Sequence, residues 1–203
     1  SMFDPGPFVY MNKIAVGPDA KNSIDVNAPP KDNLANIARA KGCNVDDLTV
    51  VVLDRPRHDD LIVDLRKTGA RIRLITDGDV AGAVMTAWSG SGIDVLMGIG
   101  GTPEGVLSAC ALKCMGGEIQ GKLWPRNENE KSLGHKMGYD FNSVRQMEDL
   151  VSSDNCFFAA TGITDGELVG GVKYFGDGAR THSLVMRSKS GTVREVVSKH
   201  RWD

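Results

Sequence analysis

The sequence lacks what several large functional classes require. No apolar run approaches the roughly 20 residues that span a bilayer, and the N-terminus has no basic segment followed by an apolar one. No membrane partner is therefore expected, and the cytoplasm is the expected compartment. Cysteines are few: Cys43, Cys110, Cys114 and Cys156 form no CxxC pair and no disulfide framework. An excess of positive charge is missing as well. The 24 Lys+Arg face 26 Asp+Glu, so no global field gathers nucleic acid or anionic lipid. Arg187, Lys189, Arg194, Lys199 and Arg201 near the C-terminus have no aromatic platform interleaved with them, which argues against an RNA surface. Any anion binding must be local.

What is present fits an ordinary globular protein. At 203 residues and 41% hydrophobic content, the chain can bury a real core, and the expectation is a single α/β domain over residues 1–203. Its 24 glycines imply many tight turns. A strand is expected over Tyr10–Val16, stopped by Gly17-Pro18, then a helix capped by Asp32-Asn33 and ended by Lys41-Gly42. Further on, a strand from Glu118 to Trp124, a helix from Ser143 to Val151 and a buried strand from Cys156 to Ala160 are expected. A hairpin closes the chain, Thr181–Arg187 against Thr192–Lys199. Leu107, Cys110, Ala111, Cys114 and Met115 recur at helical spacing, so the cysteine pair reads as core packing rather than as a soft-metal site.

Between these segments one arrangement recurs: an apolar run, a polar or glycine cluster, and an amphipathic helical pattern. The runs are Val50-Val51-Val52-Leu53, Ile72-Arg73-Leu74-Ile75 and Val95-Leu96-Met97-Gly98-Ile99. The helices that follow are expected over Asp59–Lys67, Asp79–Trp88 and Pro103–Met115. Connections this long suit right-handed crossovers between parallel strands. All the clusters then share the carboxyl edge of a mixed sheet with helices on its faces, which is where open α/β sheets bind ligands.

Each cluster carries a candidate chemistry beside a plainer reading. Arg55 and Arg57 flank Pro56, and two guanidinium forks around a stiff turn suit a terminal phosphate. They read equally as solvated loop charges, with Asp59 a helix cap and His58 a loop or capping residue. Asp77-Gly78-Asp79 lacks the rest of a calcium loop. Asp79 is explained as an N-cap, and Asp77 is left to accept bonds from sugar hydroxyls. Gly98 to Gly105 fails the GxGxxG spacing, yet its glycines allow close backbone approach and Pro103 opens a helix whose free N–H groups favour an anion. Glu104 either complements the helix dipole or serves as a hard oxygen ligand for Mg2+ or Mn2+. Tyr10 and Lys13 on the first strand are candidates to add a phenol and an ammonium to a phosphate pocket.

Five stretches carry a resemblance. They are Phe8-Val9-Tyr10-Met11-Asn12-Lys13, Asp54-Arg55-Pro56-Arg57-His58-Asp59, Leu74-Ile75-Thr76-Asp77-Gly78-Asp79-Val80, the run from Gly98 to Gly105 continuing through Ala109 to Leu123, and Ala160-Thr161-Gly162-Ile163-Thr164. In order and spacing the chain resembles the class II fructose-1,6-bisphosphatases, including the bifunctional type that also hydrolyses sedoheptulose 1,7-bisphosphate. The resemblance implies alternating layers of helix and sheet, like the C-terminal part of the lithium-sensitive sugar and inositol phosphatases. It implies removal of the 1-phosphate of fructose 1,6-bisphosphate with Mg2+ or Mn2+, in gluconeogenesis, by a homo-oligomer. Position by position, it implies that Tyr10, Arg55, Arg57, Asp77, Gly78, Asp79 and Gly101 hold substrate and that Glu104 is a metal ligand. Members of the family also carry, upstream of the tyrosine strand, acidic metal ligands and an Asp-Pro-Ile-Glu-Gly-Thr motif with a catalytic threonine. Here the only Asp-Pro is Asp4-Pro5, followed by Gly6-Pro7. The chain is thus read as the C-terminal part of such an enzyme, with no catalytic residue of its own and impaired activity in isolation. The alternative is a phosphosugar-binding or assembly module without catalysis. A nucleotide-binding regulator would need a purine-stacking pocket that the sequence does not suggest.

Overall fold

The computed structural model describes residues 2–202; Ser1 and Asp203 lie outside it. In chain order the elements are β1 (Tyr10–Val16), α1 (Pro30–Lys41), β2 (Thr49–Leu53), α2 (Asp59–Thr68), β3 (Arg71–Ile75), α3 (Asp79–Thr86), β4 (Val95–Gly101), α4 (Thr102–Met115), β5 (Glu118–Leu123), α5 (Glu128–Lys136), α6 (Met147–Leu150), β6 (Phe157–Thr161), β7 (Lys173–Phe175), β8 (Gly178–Arg187) and β9 (Thr192–Arg201). The first five strands form one mixed sheet in the order β3-β2-β4-β1-β5. β2 runs parallel to β3 and β4, as the crossover spacing predicts, while β1 is antiparallel to both β4 and β5.

Strand alternation sorts the core into two clusters, one on each face of this sheet. Val50, Val52, Ile14, Val16, Val95 and Met97 pack on one side with Leu34 and Ile37 of α1 and Ile62 and Leu65 of α2. Val51, Met11, Ala15 and Leu96 face the other side, against Ala83 and Val84 of α3 and the buried face of α4. That second cluster continues through α4 to Phe158, Leu184 and Met186 of the remaining strands. The result is helix, sheet, helix, sheet. No helix among the described residues is long and apolar enough to cross a membrane.

Several expectations need correction. The α/β fold with a mixed sheet and helices on its faces is as expected, and beside that sheet the chain carries a second, antiparallel one, β6-β8-β7 with β9 on the free side of β8. β7 carried no sequence signal, because its three residues are all exposed. The strand expected to be buried at Cys156–Ala160 is β6, which covers α4 with one face only: Phe158 is buried and Phe157 is 62% exposed. The hairpin forms with Leu184 and Met186 inward. The helix expected over Ser143–Val151 shrinks to the single turn of α6, because Arg145 pairs with Gly121 as an isolated bridge. α1 starts at Pro30. Asn33 is buried inside it, accepting from the Asp25 amide at 2.8 Å and donating to the Asp25 and Ala28 carbonyls, so it pins the preceding loop instead of capping. α3 ends at Thr86, short of Trp88. Cys110, Ala111 and Cys114 are buried as expected, whereas Leu107 is 46% exposed.

Candidate functional site

The carboxyl ends of β2, β3 and β4 lie side by side, and each leads directly into a helix start. After β2, Asp54 and the extended Arg55 enter a one-turn 3-10 helix, Pro56–His58, that runs into α2. His58 is buried and turned back toward the sheet. Its Nδ1 lies 2.7 Å from the Leu53 carbonyl, and its Nε2 accepts the Ile99 amide at 2.7 Å. These partners require the proton on Nδ1 and a lone pair on Nε2, so the ring is neutral. Burial lowers its pKa below the usual imidazole value, opposed by the bond to Leu53 and reinforced by Arg57. The ring can reach β4 because position 98 is glycine, with φ +129°; a Cβ there would sit 2.8 Å from Nε2. His58 therefore staples the arginine turn to β4.

That staple fixes the two arginines differently. Arg57 donates through Nε and Nη2 to the Ile99 carbonyl at 3.0 and 2.9 Å, and its guanidinium stands 5.2 Å from the Tyr10 ring centroid. Arg55 donates to the Asp54 carbonyl and reaches Asp77 at 3.3 Å, but the Asp77 side chain is 88% exposed. Such a solvated pair is readily exchanged for a ligand. Tyr10 arrives from the opposite direction: because β1 is antiparallel to β4, its first residue lies beside the last residue of β4, Gly101. Trp124 meets the Tyr10 ring edge-on at 6.2 Å.

The β3 and β4 ends supply the carboxylates. Gly78, at φ +81°, is the N-cap of α3, so Asp79 is its first helical residue rather than its cap. Likewise His58, not Asp59, stands at the cap of α2. Asp79 Oδ2 lies 2.6 Å from Lys13 Nζ, which also donates to the Gly101 carbonyl at 3.0 Å. Both side chains are buried. Burial lowers the Lys13 pKa, an effect opposed by Asp79. Lys13 and Tyr10 point to opposite faces of β1, so the ammonium does not join the phenol in a phosphate pocket as expected from sequence. It locks α3 to the end of β4 instead. Glu104, in the first turn of α4, folds back over Gly101, where a Cβ would lie 1.7 Å from Oε2; at Gly100 one would lie 2.1 Å from Asp79 Oδ2. The Gly100-Gly101 backbone thus passes between two carboxylates that leave no room for side chains.

Tyr10, Arg55, Arg57, Asp77, Gly78, Asp79, Gly101 and Glu104 all line one open cleft of about 660 Å³. The helix starts of α3 and α4 border it without side-chain caps; at α4 the Thr102 amide donates to the Val9 carbonyl and Pro103 has no N–H, so it is chiefly the two helix dipoles that favour an anion there. Asp77 and Glu104 offer acceptors for hydroxyl groups. For Mg2+ or Mn2+ the fit is poor. Asp79 is held by Lys13 and Asp77 leans to Arg55, and among the described residues no group of three His, Cys, Asp or Glu gathers closely enough to hold a metal ion. Glu104 alone does not satisfy cations that want about six oxygen ligands.

Fold and cleft together define a layered α/β protein with an anion-attracting, carboxylate-flanked site at its carboxyl edge. A family model described as bacterial fructose-1,6-bisphosphatase, glpX-encoded, matches residues 1–200, and the chain belongs to that family. It is 46% identical over 210 residues to the D-fructose 1,6-bisphosphatase class 2/sedoheptulose 1,7-bisphosphatase of Synechococcus sp. (strain JA-2-3B'a(2-13)), covering 97% of this chain and 60% of the relative. Against fructose-1,6-bisphosphatase 1 class 2 of Escherichia coli (strain K12) it is 41% identical, covering 97% of this chain and 62% of that protein. The chain thus spans about three fifths of the curated relatives it matches.

Sequence reasoning missed the Lys13–Asp79 lock and the stapling by His58. The first had a signal, a lone lysine between Met11 and Ala15 on a strand face that is otherwise apolar. The second had none, because its partners are backbone groups.

Proposed function

We propose that this chain carries the sugar-bisphosphate site of a class II fructose-1,6-bisphosphatase, as a single substrate-binding domain. The supporting observation is the convergence of the eight resemblance-matched residues on one cleft. In this reading Arg55 and Arg57, backed by the Tyr10 ring, grip the phosphate that does not react. Asp77 and the Gly78–Asp79 helix start receive the sugar hydroxyls, and the Gly100-Gly101 turn lets the ligand approach the backbone. Glu104 is the carboxylate this chain lends toward a divalent cation, and the remaining donors must come from beyond the described residues. The ligands are fructose 1,6-bisphosphate and, by analogy with the bifunctional relative, sedoheptulose 1,7-bisphosphate. A second reading, a binding module without hydrolysis, is favoured by the isolation of Glu104 from other free donors. Calorimetric titration with fructose 1,6-bisphosphate in the presence of Mn2+, followed by a phosphate-release assay, separates the two. Binding with release supports the enzyme, binding alone supports the module, and no heat of binding contradicts both.

A further inference from the structure

Three thiols meet between α4 and the outer sheet, away from the cleft. Cys110 and Cys114 lie on the buried face of α4, and Cys156 stands immediately before β6; all three are buried and unbonded to one another. Their contacts across the gap are reciprocal. Cys110 Sγ lies 3.3 Å from the Phe157 carbonyl oxygen, Cys156 Sγ lies 3.7 Å from the Cys110 carbonyl oxygen, and Cys114 Sγ lies 3.9 Å from the Cys156 carbonyl oxygen. Each thiol is also within hydrogen-bond reach of the other two. A disulfide needs Cβ atoms about 3.5–4.5 Å apart, whereas residues four apart on a helix hold theirs about 5–6 Å apart. Cys110 and Cys114 are therefore the strained pair, and Cys156 is the partner within reach of either.

The two helix thiols differ in reactivity. The bond from Cys114, helped by Cys156 and the Lys113 charge, holds the Cys110 thiol below its usual value against the opposing effect of burial. The same bond and burial push Cys114 up. The thiolate is the form that peroxides attack, so Cys110 is the thiol that reacts. β6 is an edge strand, bonded only to β8, and weakly held elements open locally more often than the core does. Such an opening lifts Phe157 off Cys110 Sγ and admits a small oxidant, while Cys114 stays beside Cys110 on the helix.

We propose that Cys110 and Cys156 form a reversible disulfide when the chain meets a hydroperoxide, a modification that ties the outer sheet to the helix carrying Glu104. In the first step the peroxide O–O bond breaks, Cys110 is oxidised from thiol to sulfenic acid, and the peroxide is reduced to an alcohol or water. When β6 closes, the Cys156 sulfur attacks the sulfenic sulfur. The S–S bond forms, and the sulfenic hydroxyl leaves with the Cys156 proton as water. The inference does not depend on what the cleft binds.

Peptide mapping tests it. The reduced native chain is treated with excess hydrogen peroxide, blocked with N-ethylmaleimide in urea and digested with trypsin, which cuts after Lys113 and so parts Cys110 from Cys114. The expected product joins peptide 74–113 to peptide 146–173 with the loss of two hydrogens, leaves Cys43 and Cys114 blocked, and returns to four blockable cysteines with dithiothreitol. Cys110→Ala should abolish the link, and Cys43→Ser should leave it unchanged. Peroxide treatment in urea should instead spread the bonds over several pairs, Cys43 included. A native chain that keeps four free thiols, links through peptide 114–122, stops at sulfinic acid or gives the same mixture as in urea would overturn the proposal.

Discussion

At the scale of single residues, the site depends on two buried contacts, the Lys13–Asp79 pair in the wall of the cleft and the His58 staple behind it. Lys13 and Asp79 are both buried and form one ion pair, so removing one partner strands a charge. Lys13→Met should lower the unfolding free energy by about 3–5 kcal/mol, read by urea denaturation, and adding Asp79→Asn in that background should recover part of the loss. His58 sets a pH dependence. The unfolded imidazole titrates near about 6.5 and the folded one lower, so between those values the unfolded chain holds more protons. Stability is thus complete above about pH 6.5 and falls as pH drops toward the folded pKa, with a slope of at most about 1.4 kcal/mol per pH unit for one proton. His58→Asn should be less stable at pH 8 yet lose this component, which denaturation across pH 5–8 would resolve.

At the scale of elements, what positions the cleft is the series of strand ends, and Gly101 tests how tightly one of them is built. Its backbone, φ −62° and ψ 141°, is ordinary for any residue, so Gly101→Ala acts through the clash with Glu104 alone. Thermal melting should move by the equivalent of less than about 1 kcal/mol, whereas the bisphosphate titration should weaken markedly as the carboxylate is displaced. The strand ends were the most legible part of the sequence: apolar runs followed by Asp54–Asp59, Thr76–Asp79 and Gly100–Gly105 already implied a shared carboxyl edge. The placement of β1 was not legible. Alternation marks a strand but says nothing about its partner, and only the antiparallel insertion between β4 and β5 explains how Tyr10 reaches Gly101. The outer sheet was harder still, because strands that cover a helix with one face and meet water with the other mix apolar and polar residues on both sides, as Phe157 and Val197 do.

For the whole molecule, the layers explain why one cleft holds all eight residues that the resemblance singles out. The mixed sheet aligns three helix starts at one edge, and the outer sheet buries the far side of α4, which holds Glu104 at a fixed height above Gly101. The site residues were legible because they cluster in short, charged, glycine-bearing segments; their partners, which decide which of them are free, were not. Asp79 is committed to Lys13, and Arg57 gives Nε and Nη2 to the Ile99 carbonyl while still lining the cleft beside Arg55, Asp77 and Glu104. The measurement that tests the central claim most directly is calorimetric titration of wild type, Arg55→Ala and Arg57→Lys with fructose 1,6-bisphosphate and with fructose 1-phosphate. If the cleft grips the distal phosphate, each substitution should cost roughly 1.5–3 kcal/mol with the bisphosphate, the lysine variant keeping the charge but losing the fork, and neither should alter fructose 1-phosphate binding much. Equal losses with both sugars, or no loss with either, would contradict the account.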